Sequence, residues 1–213
     1  MNIIKLSERP KIIGLCANAN EGKTNTIYYI LKQLQHDYSF NVHTYGLRLN
    51  FPKTEQIHSV EELEQIKNSI IIIDEMFSLF DLDNRKIKSQ IENTLRLIFH
   101  NNNILLLCGL GENFKKFIAA KLNAIIFKKI TFKDMINGSG IKNVAMNYKG
   151  NEAGSTILNL EINEALVYDG LHYHKITVDY MKEYDTKLKN VDILTLKSVR
   201  KIVLKKRTKK GKV

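Results

Sequence analysis

One short segment constrains this chain more than any other: Ala17-Asn18-Ala19-Asn20-Glu21-Gly22-Lys23-Thr24. It follows an apolar stretch, Lys11-Ile-Ile-Gly-Leu-Cys16, that reads as a buried strand. It precedes Thr24 to His36, where Ile27, Ile30, Leu31 and Leu34 recur at helical spacing. The loop fits the Walker A pattern, with Ala17 where the first glycine usually stands. Gly22 allows the tight turn that converges backbone N–H groups on phosphate oxygens, and the following helix start adds a positive dipole end. Lys23 is placed to reach the β- and γ-phosphates, from solvent when no nucleotide is bound, and Thr24 to offer its hydroxyl to Mg²⁺. The nucleotide-contacting candidates are Ala17, Asn18, Ala19, Asn20, Glu21, Gly22, Lys23, Thr24 and Asn25.

The rest of the chain alternates as a parallel α/β sheet requires. Phe40 to Leu47 reads as a second strand, and Ser59-Val-Glu-Glu62 as a capping box opening a helix to about Lys67. Ile70 to Ile73 is a β-branched run suited to a strand covered on both faces. Helix Asp83 to His100, strand Ile104 to Cys108, helix Phe114 to Leu122 and strand Ala124 to Phe127 follow. Beyond about Asn137, Val144 to Tyr148, Thr156 to Ile162, Ala165 to Tyr168 and Tyr173 to Val178 read as short strands between turn signals. The expected organisation is a P-loop core over 1–136, a strand-rich extension of the same domain over 137–196 and a flexible basic tail over 197–213.

Ile70-Ile-Ile-Ile-Asp74-Glu75 supplies the second half of a phosphate-handling site, a buried strand ending in two acids. Asp74 would hold Mg²⁺ through a water. Glu75, one residue on, faces the other way and could polarise an attacking water. The acid pair points to water as the acceptor and so to hydrolysis. ATP and Mg²⁺ are the expected ligands, with Thr24 and Asp74 on the metal and Lys23, Glu75 and Arg85 as catalytic candidates.

These motifs resemble the additional-strand class of P-loop ATPases, in which a further strand separates the Walker A and Walker B strands; Ile104 to Cys108 fits that strand in sequence order. Within the class, the short length and the stretch from Asp74 to Arg85 resemble phage and archaeal-virus ATPases of the FtsK–HerA and zonula-occludens-toxin-like groups. Tyr184-Asp185-Thr186 is similar to a short motif near the end of such proteins. The resemblance implies an oligomeric ATPase that handles DNA in viral genome packaging or translocation. Arg85 is then either a finger completing a neighbour's site or a surface charge at a helix start. The class also expects a polar sensor at the end of the additional strand. Here the strand runs into Leu107-Cys108-Gly109-Leu110-Gly111, and Asn113 is the nearby amide. Either Asn113 senses γ-phosphate from a shifted position or sensing differs.

Composition narrows the alternatives. Two cysteines, Cys16 and Cys108, both in apolar strands, exclude a disulfide scaffold and a four-thiolate zinc site. The 213 residues suffice for one α/β domain, and 44% apolar with 26% charged residues is globular composition. No apolar run is long enough to span a membrane, and Met1 to Lys11 lacks a leader's apolar stretch, so a cytoplasmic protein (host cytoplasm, if viral) is expected. The net charge of +11 is concentrated in Lys197 to Val213, with nine basic residues and no acidic one. Such a tail either binds nucleic acid or another anionic surface, DNA being the expected partner, or is solvated without a specific partner. Lys115, Lys116, Lys121, Lys128, Lys129 and Lys133 read either as a basic face continuing the tail or, preferred, as an ordinary solvated helix surface. His172 and His174 share a strand face without a ligand partner at suitable spacing, and read as a half-exposed face. A nucleotide or nucleoside kinase is the competing enzyme class, weakened by scattered arginines and no arginine-rich lid; a nucleotide-gated switch is the competing binding module.

Overall fold

Two strands buried along their whole length, Ile70–Asp74 and Ile104–Gly109, form the middle of the fold. In the computed structural model, residues 10–37, 40–74, 85–137, 140–142, 144 and 152–184 are described. The strands are β1 (Lys11–Cys16), β2 (Val42–Tyr45), β3 (Thr54–Gln56), β4 (Ile70–Asp74), β5 (Ile104–Gly109), β6 (Ala124–Phe127), β7 (Glu164–Tyr168) and β8 (Tyr173–Thr177). They form one eight-stranded sheet in the order β3-β2-β4-β5-β1-β6-β7-β8. Pairing is parallel from β3 through β6, and antiparallel from β6 to β7 and from β7 to β8.

The helices are α1 (Lys23–Asp37), α2 (Val60–Gln65), α3 (Arg85–His100), α4 (Lys116–Ala119), α5 (Phe132–Asn137) and α6 (Glu152–Leu158). The Ser59 capping box forms as expected: the Ser59 hydroxyl accepts from Glu62 N–H, while the Glu62 carboxylate accepts from His58 N–H at 2.8 Å. On one face of the sheet Ile71, Ile73, Leu105, Leu107, Ile125 and Phe127 pack with the α3 stripe Ile91, Leu95 and Ile98. The pleat turns Ile13, Leu15, Ile72 and Leu106 to the opposite face, where they are equally buried. Helix α1 buries its own stripe, Ile27, Leu31 and Leu34, outside the first cluster. Parallel strands covered on both faces explain why these strands read as continuous apolar runs.

Two expectations need correction, and two elements were not anticipated. Thr156 to Ile162 is not a strand: α6 ends at Leu158 and a turn follows. Ile157 and Leu160 are the buried residues there, three apart rather than alternating, and the Asn159 side-chain amide donates to Ser155 O at 2.9 Å across the helix end. The helix expected over Phe114 to Leu122 shortens to α4, preceded by a 3₁₀ turn, Gly111–Asn113, with Phe114 fully buried at the break. Edge strand β3 has no buried residue and so left no apolar pattern. Helix α5 starts at a Thr131–Asp134 capping box that spacing alone could have revealed: Asp134 N–H donates to Thr131 Oγ1 at 3.2 Å and Thr131 N–H to Asp134 Oδ2 at 3.3 Å. Apart from Val144, the strand expected over Val144 to Tyr148 lies outside the described residues.

The chain divides into two units, Met1–Tyr180 and Met181–Val213. In the second, the described part is the 3₁₀ turn Lys182–Tyr184, in which Tyr184 N–H donates to Met181 O at 3.1 Å. Asp185 and Thr186 of the Tyr-Asp-Thr match and the whole basic tail lie outside the described residues.

Opposite the phosphate-loop edge, Asn103 stitches the sheet to its helices. Fully buried, it accepts from Ser69 N–H at 2.9 Å and donates to Ile66 O at 2.7 Å. Asn103→Ala leaves two partners unsatisfied in the interior and is expected to lower unfolding free energy by about 2–3 kcal/mol, read from urea titration; a change within experimental error would show that water replaces the amide.

Candidate nucleotide-binding site

Register brings the two halves of the site level. In the parallel ladder Cys16 of β1 lies beside Gly109 of β5, and Asp74 of β4 beside Cys108. The phosphate loop therefore leaves β1 at the same sheet edge where β4 delivers Asp74, with β5 between them. Two strand spacings amount to roughly 10 Å, which the Lys23 side chain closes. Its Nζ lies 2.5 Å from Asp74 Oδ1, and Asp74 is only 6% exposed. The lysine is thus not held in solvent, as the sequence suggested. A buried carboxylate at the end of an apolar strand needs a counter-charge, and Lys23 supplies it.

The loop is held from below. Ala17 N–H donates to Gly109 O at 3.1 Å, and Glu21 N–H to Asn18 O at 3.4 Å. Asn20 and Gly22 both adopt positive φ, 65° and 77°, which turns the chain back toward α1. Thr26 closes the first turn, its N–H and its hydroxyl both donating to Gly22 O at 2.9 Å. The backbone N–H groups of a helix's first turn point out of its N-terminus, a direction suited to an anion. Thr24 is exposed, and the Asn25 side chain donates to Asp179 O at 3.0 Å. With its amide turned so that the nitrogen faces Asp134, Asn18 donates to Asp134 Oδ2 at 3.0 Å and accepts from Thr131 N–H at 3.1 Å, which anchors the loop. Ala17 is buried, whereas Ala19 and Asn20 are exposed on the loop.

Two residues essential to this geometry were not recognised in the sequence. Lys128, grouped there with a solvated surface, is fully buried at the end of β6. Its ammonium donates to Ile162 O at 2.7 Å and Glu164 O at 2.6 Å, and its Cε lies 3.6 Å from where a Gly22 side chain would begin. Burial lowers its pKa to about 8, against the opposing pull of Glu21 and Glu164. The signal was present, since the lysine directly ends the apolar run Ala124–Phe127. The second is Gly46, after β2, with φ 73°. A Cβ there would come 2.3 Å from Asp74 O, so only glycine lets the loop pass behind the acid.

Asn113 is buried, and its amide nitrogen lies 2.8 Å from the position of a Gly109 Cβ. The amide therefore rests on the end of β5, beside the carbonyl that anchors Ala17. Cys16 and Cys108 are buried core; burial pushes both thiols well up, with Asp134 adding at Cys16 and Asp74 at Cys108. Arg85 is the first residue of α3, but its side chain lies outside the described residues, as does Glu75.

A phosphate loop after β1, an acid ending β4 and β5 inserted between them define the fold of additional-strand P-loop NTPases. No known family profile and no curated protein matches the chain. Solved structures do match in fold. B204, the DNA-packaging ATPase of Sulfolobus turreted icosahedral virus, superposes with a TM-score of 0.59 at 14% identity, over 80% of this chain and 98% of that one. B204 of Sulfolobus turreted icosahedral virus 2 in complex with AMPPCP gives 0.59 at 13% identity, over 79% and 98%. The cytoplasmic domain of EssC gives 0.51 at 13% identity, over 79% of this chain and 38% of that one.

Lys128 generates a pH-dependent prediction. Its pKa is about 8 in the folded chain against an ordinary 10.5, so the unfolded chain binds more protons between those values and stability rises with pH across that window. Below about pH 8 the lysine is charged in both states and contributes no slope. Unfolding free energy, measured at about pH 7 and about pH 9.5, is expected to shift toward greater stability for the wild type relative to Lys128→Met; parallel behaviour of the two would place the ammonium in water.

Proposed function

We propose that this chain is a Mg²⁺-dependent ATPase and a subunit of a DNA-handling motor of the genome-packaging or translocation kind. The observation that carries the reading is the Lys23–Asp74 pair bridging β1 and β4 across the inserted strand. The pair is suited to exchange. With triphosphate bound, Lys23 would pair with the β- and γ-phosphates, and Thr24 directly and Asp74 through a water would hold Mg²⁺. Both are hard oxygen donors of the kind Mg²⁺ prefers, and the metal would supply charge neutralisation. Glu75 takes the role of orienting the attacking water, from its place one residue beyond Asp74. The B204 neighbours, described as packaging NTPases and captured with a nucleotide analogue, support this reading over a kinase.

Lys23→Ala is expected to fold normally and to lose nucleotide affinity and turnover. Glu75→Gln should still bind ATP but hydrolyse it at least about a hundredfold more slowly. Phosphate release without an added acceptor, measured with and without double-stranded DNA, tests both. Full activity in Lys23→Ala would remove the phosphate-loop assignment, and turnover only with a phosphoryl acceptor would make the chain a kinase.

DNA binding is assigned to the tail, Lys197 to Val213, and assembly to an oligomer in which Arg85 faces a neighbour's site. Deleting the tail should preserve basal hydrolysis and flatten the salt dependence of duplex binding, by roughly 0.9 in log–log slope for each DNA phosphate the tail had neutralised. An unchanged slope would move the DNA-binding surface elsewhere. Arg85→Ala and Glu75→Gln subunits, each inactive alone, should recover turnover when mixed, because an intact pocket then meets an intact arginine.

A further inference from the structure

The other end of the sheet carries a second cluster of chemically capable side chains. Because β7 runs antiparallel to β6, with Ile125 beside Tyr168, the β7–β8 turn lies at the sheet edge opposite the phosphate loop. His172 and His174 alternate along the chain and fall on one face of the hairpin. Asp169 N–H donates to His172 O at 3.2 Å, and the ladder continues through Tyr168 beside Tyr173 and Val167 beside His174. Asp169 therefore stands opposite His172 and diagonal to His174, on the same face. The turn supplies the carboxylate that spacing along the chain did not suggest.

We propose that Asp169, His172 and His174 form a binding site for a zinc-type transition-metal dication. Each residue offers one ligand atom, and these atoms lie within 4.8 Å of one another. Bond lengths of about 2.0–2.1 Å set tetrahedral ligand atoms roughly 3.4 Å apart. One edge is already at that distance: His174 Nε2 lies 3.4 Å from Asp169 Oδ2. The two rings are tilted at 51° with centroids 6.2 Å apart, so they do not stack face to face.

The carboxylate is oriented in advance. Asp169 Oδ1 accepts the N–H groups of Leu171 at 2.9 Å and His172 at 2.7 Å, which fixes the turn and leaves Oδ2 facing His174. Gly170, at φ 98°, makes the turn possible, and its carbonyl accepts from the Tyr168 hydroxyl at 2.7 Å. Such outer hydrogen bonds are what hold a ligating group in place before an ion arrives. Lys175 sits on the opposite face and is paired with Glu164 at 2.8 Å, so it does not repel an ion at the histidines. Asp169 and His172 are exposed, so an ion can enter and water can complete its coordination. Two imidazoles and one carboxylate favour Zn²⁺, Ni²⁺ or Cu²⁺ over Mg²⁺ or Ca²⁺.

The test is a Zn²⁺ titration of the full chain, freed of metal by chelator, against a chromophoric competitor. Wild type should bind one equivalent, and a His172→Gln/His174→Gln variant should bind at least about a hundredfold more weakly. Asp169→Asn retains an oxygen for the turn N–H groups and should weaken binding at least about tenfold while keeping the fold. ATP affinity, read on the opposite sheet edge, should be the same in all three proteins; that control confirms folding and separates this site from the nucleotide site. Equal Zn²⁺ affinity in wild type and the double-histidine variant, whether tight or weak, would overturn the proposal.

Discussion

The contact between Lys23 and Asp74 makes demands on most of the molecule. A lysine side chain can bridge two strand spacings only if β1, β5 and β4 end at the same level, which the parallel register enforces pair by pair from Lys11 beside Ile104 to Cys16 beside Gly109. A one-residue slip of β4 would turn Asp74 to the opposite face of the sheet and leave the lysine without its partner. The cost of burying the carboxylate is met by the Lys23 ammonium, and the pair ties the start of α1 to the end of β4.

The shape of the loop between β1 and α1 is set from outside the loop. Lys128 ties the end of β6 to the turn before β7, directly beneath Gly22. Asn18 is fastened to the capping box that starts α5. Gly46 lets the chain after β2 pass against the backbone of Asp74. All of these supports come from segments far from their partners along the chain, so the antiparallel addition of β7 is part of the site's foundation. Lys128 also places an ammonium in a poorly solvated region beside Gly22, where charge is weakly screened.

The sheet separates its polar tasks by edge. At the strand C-termini of the parallel part lie the loop, Asp74 and the Asn113 amide against Gly109. At the opposite edge, asparagines close the open ends of strands: Asn123 accepts from Ile12 N–H at 2.8 Å, and Asn103 serves Ser69 and Ile66. The Asp169–His172–His174 cluster belongs to that second edge, which makes it independent of nucleotide chemistry.

What the sequence determined by itself was whatever depends on neighbours in the chain. Glycine, lysine and threonine between a strand and a helix identified the phosphate loop, and four isoleucines before Asp74 identified a doubly covered strand. The inserted position of β5 followed from the resemblance to the additional-strand class. Where two periods compete over few residues, as from Thr156 to Ile162, the pattern misled, because Ile157 and Leu160 satisfy core packing from a helix and turn. Only the tertiary structure decided that Lys23 is held by Asp74, that Lys128 is buried, that Asn113 rests on Gly109, and that Asp169 joins the two histidines. Each of those depends on which strands lie side by side. Burial and counter-charge are properties of that pairing, and a residue's type and its place in the chain do not encode them.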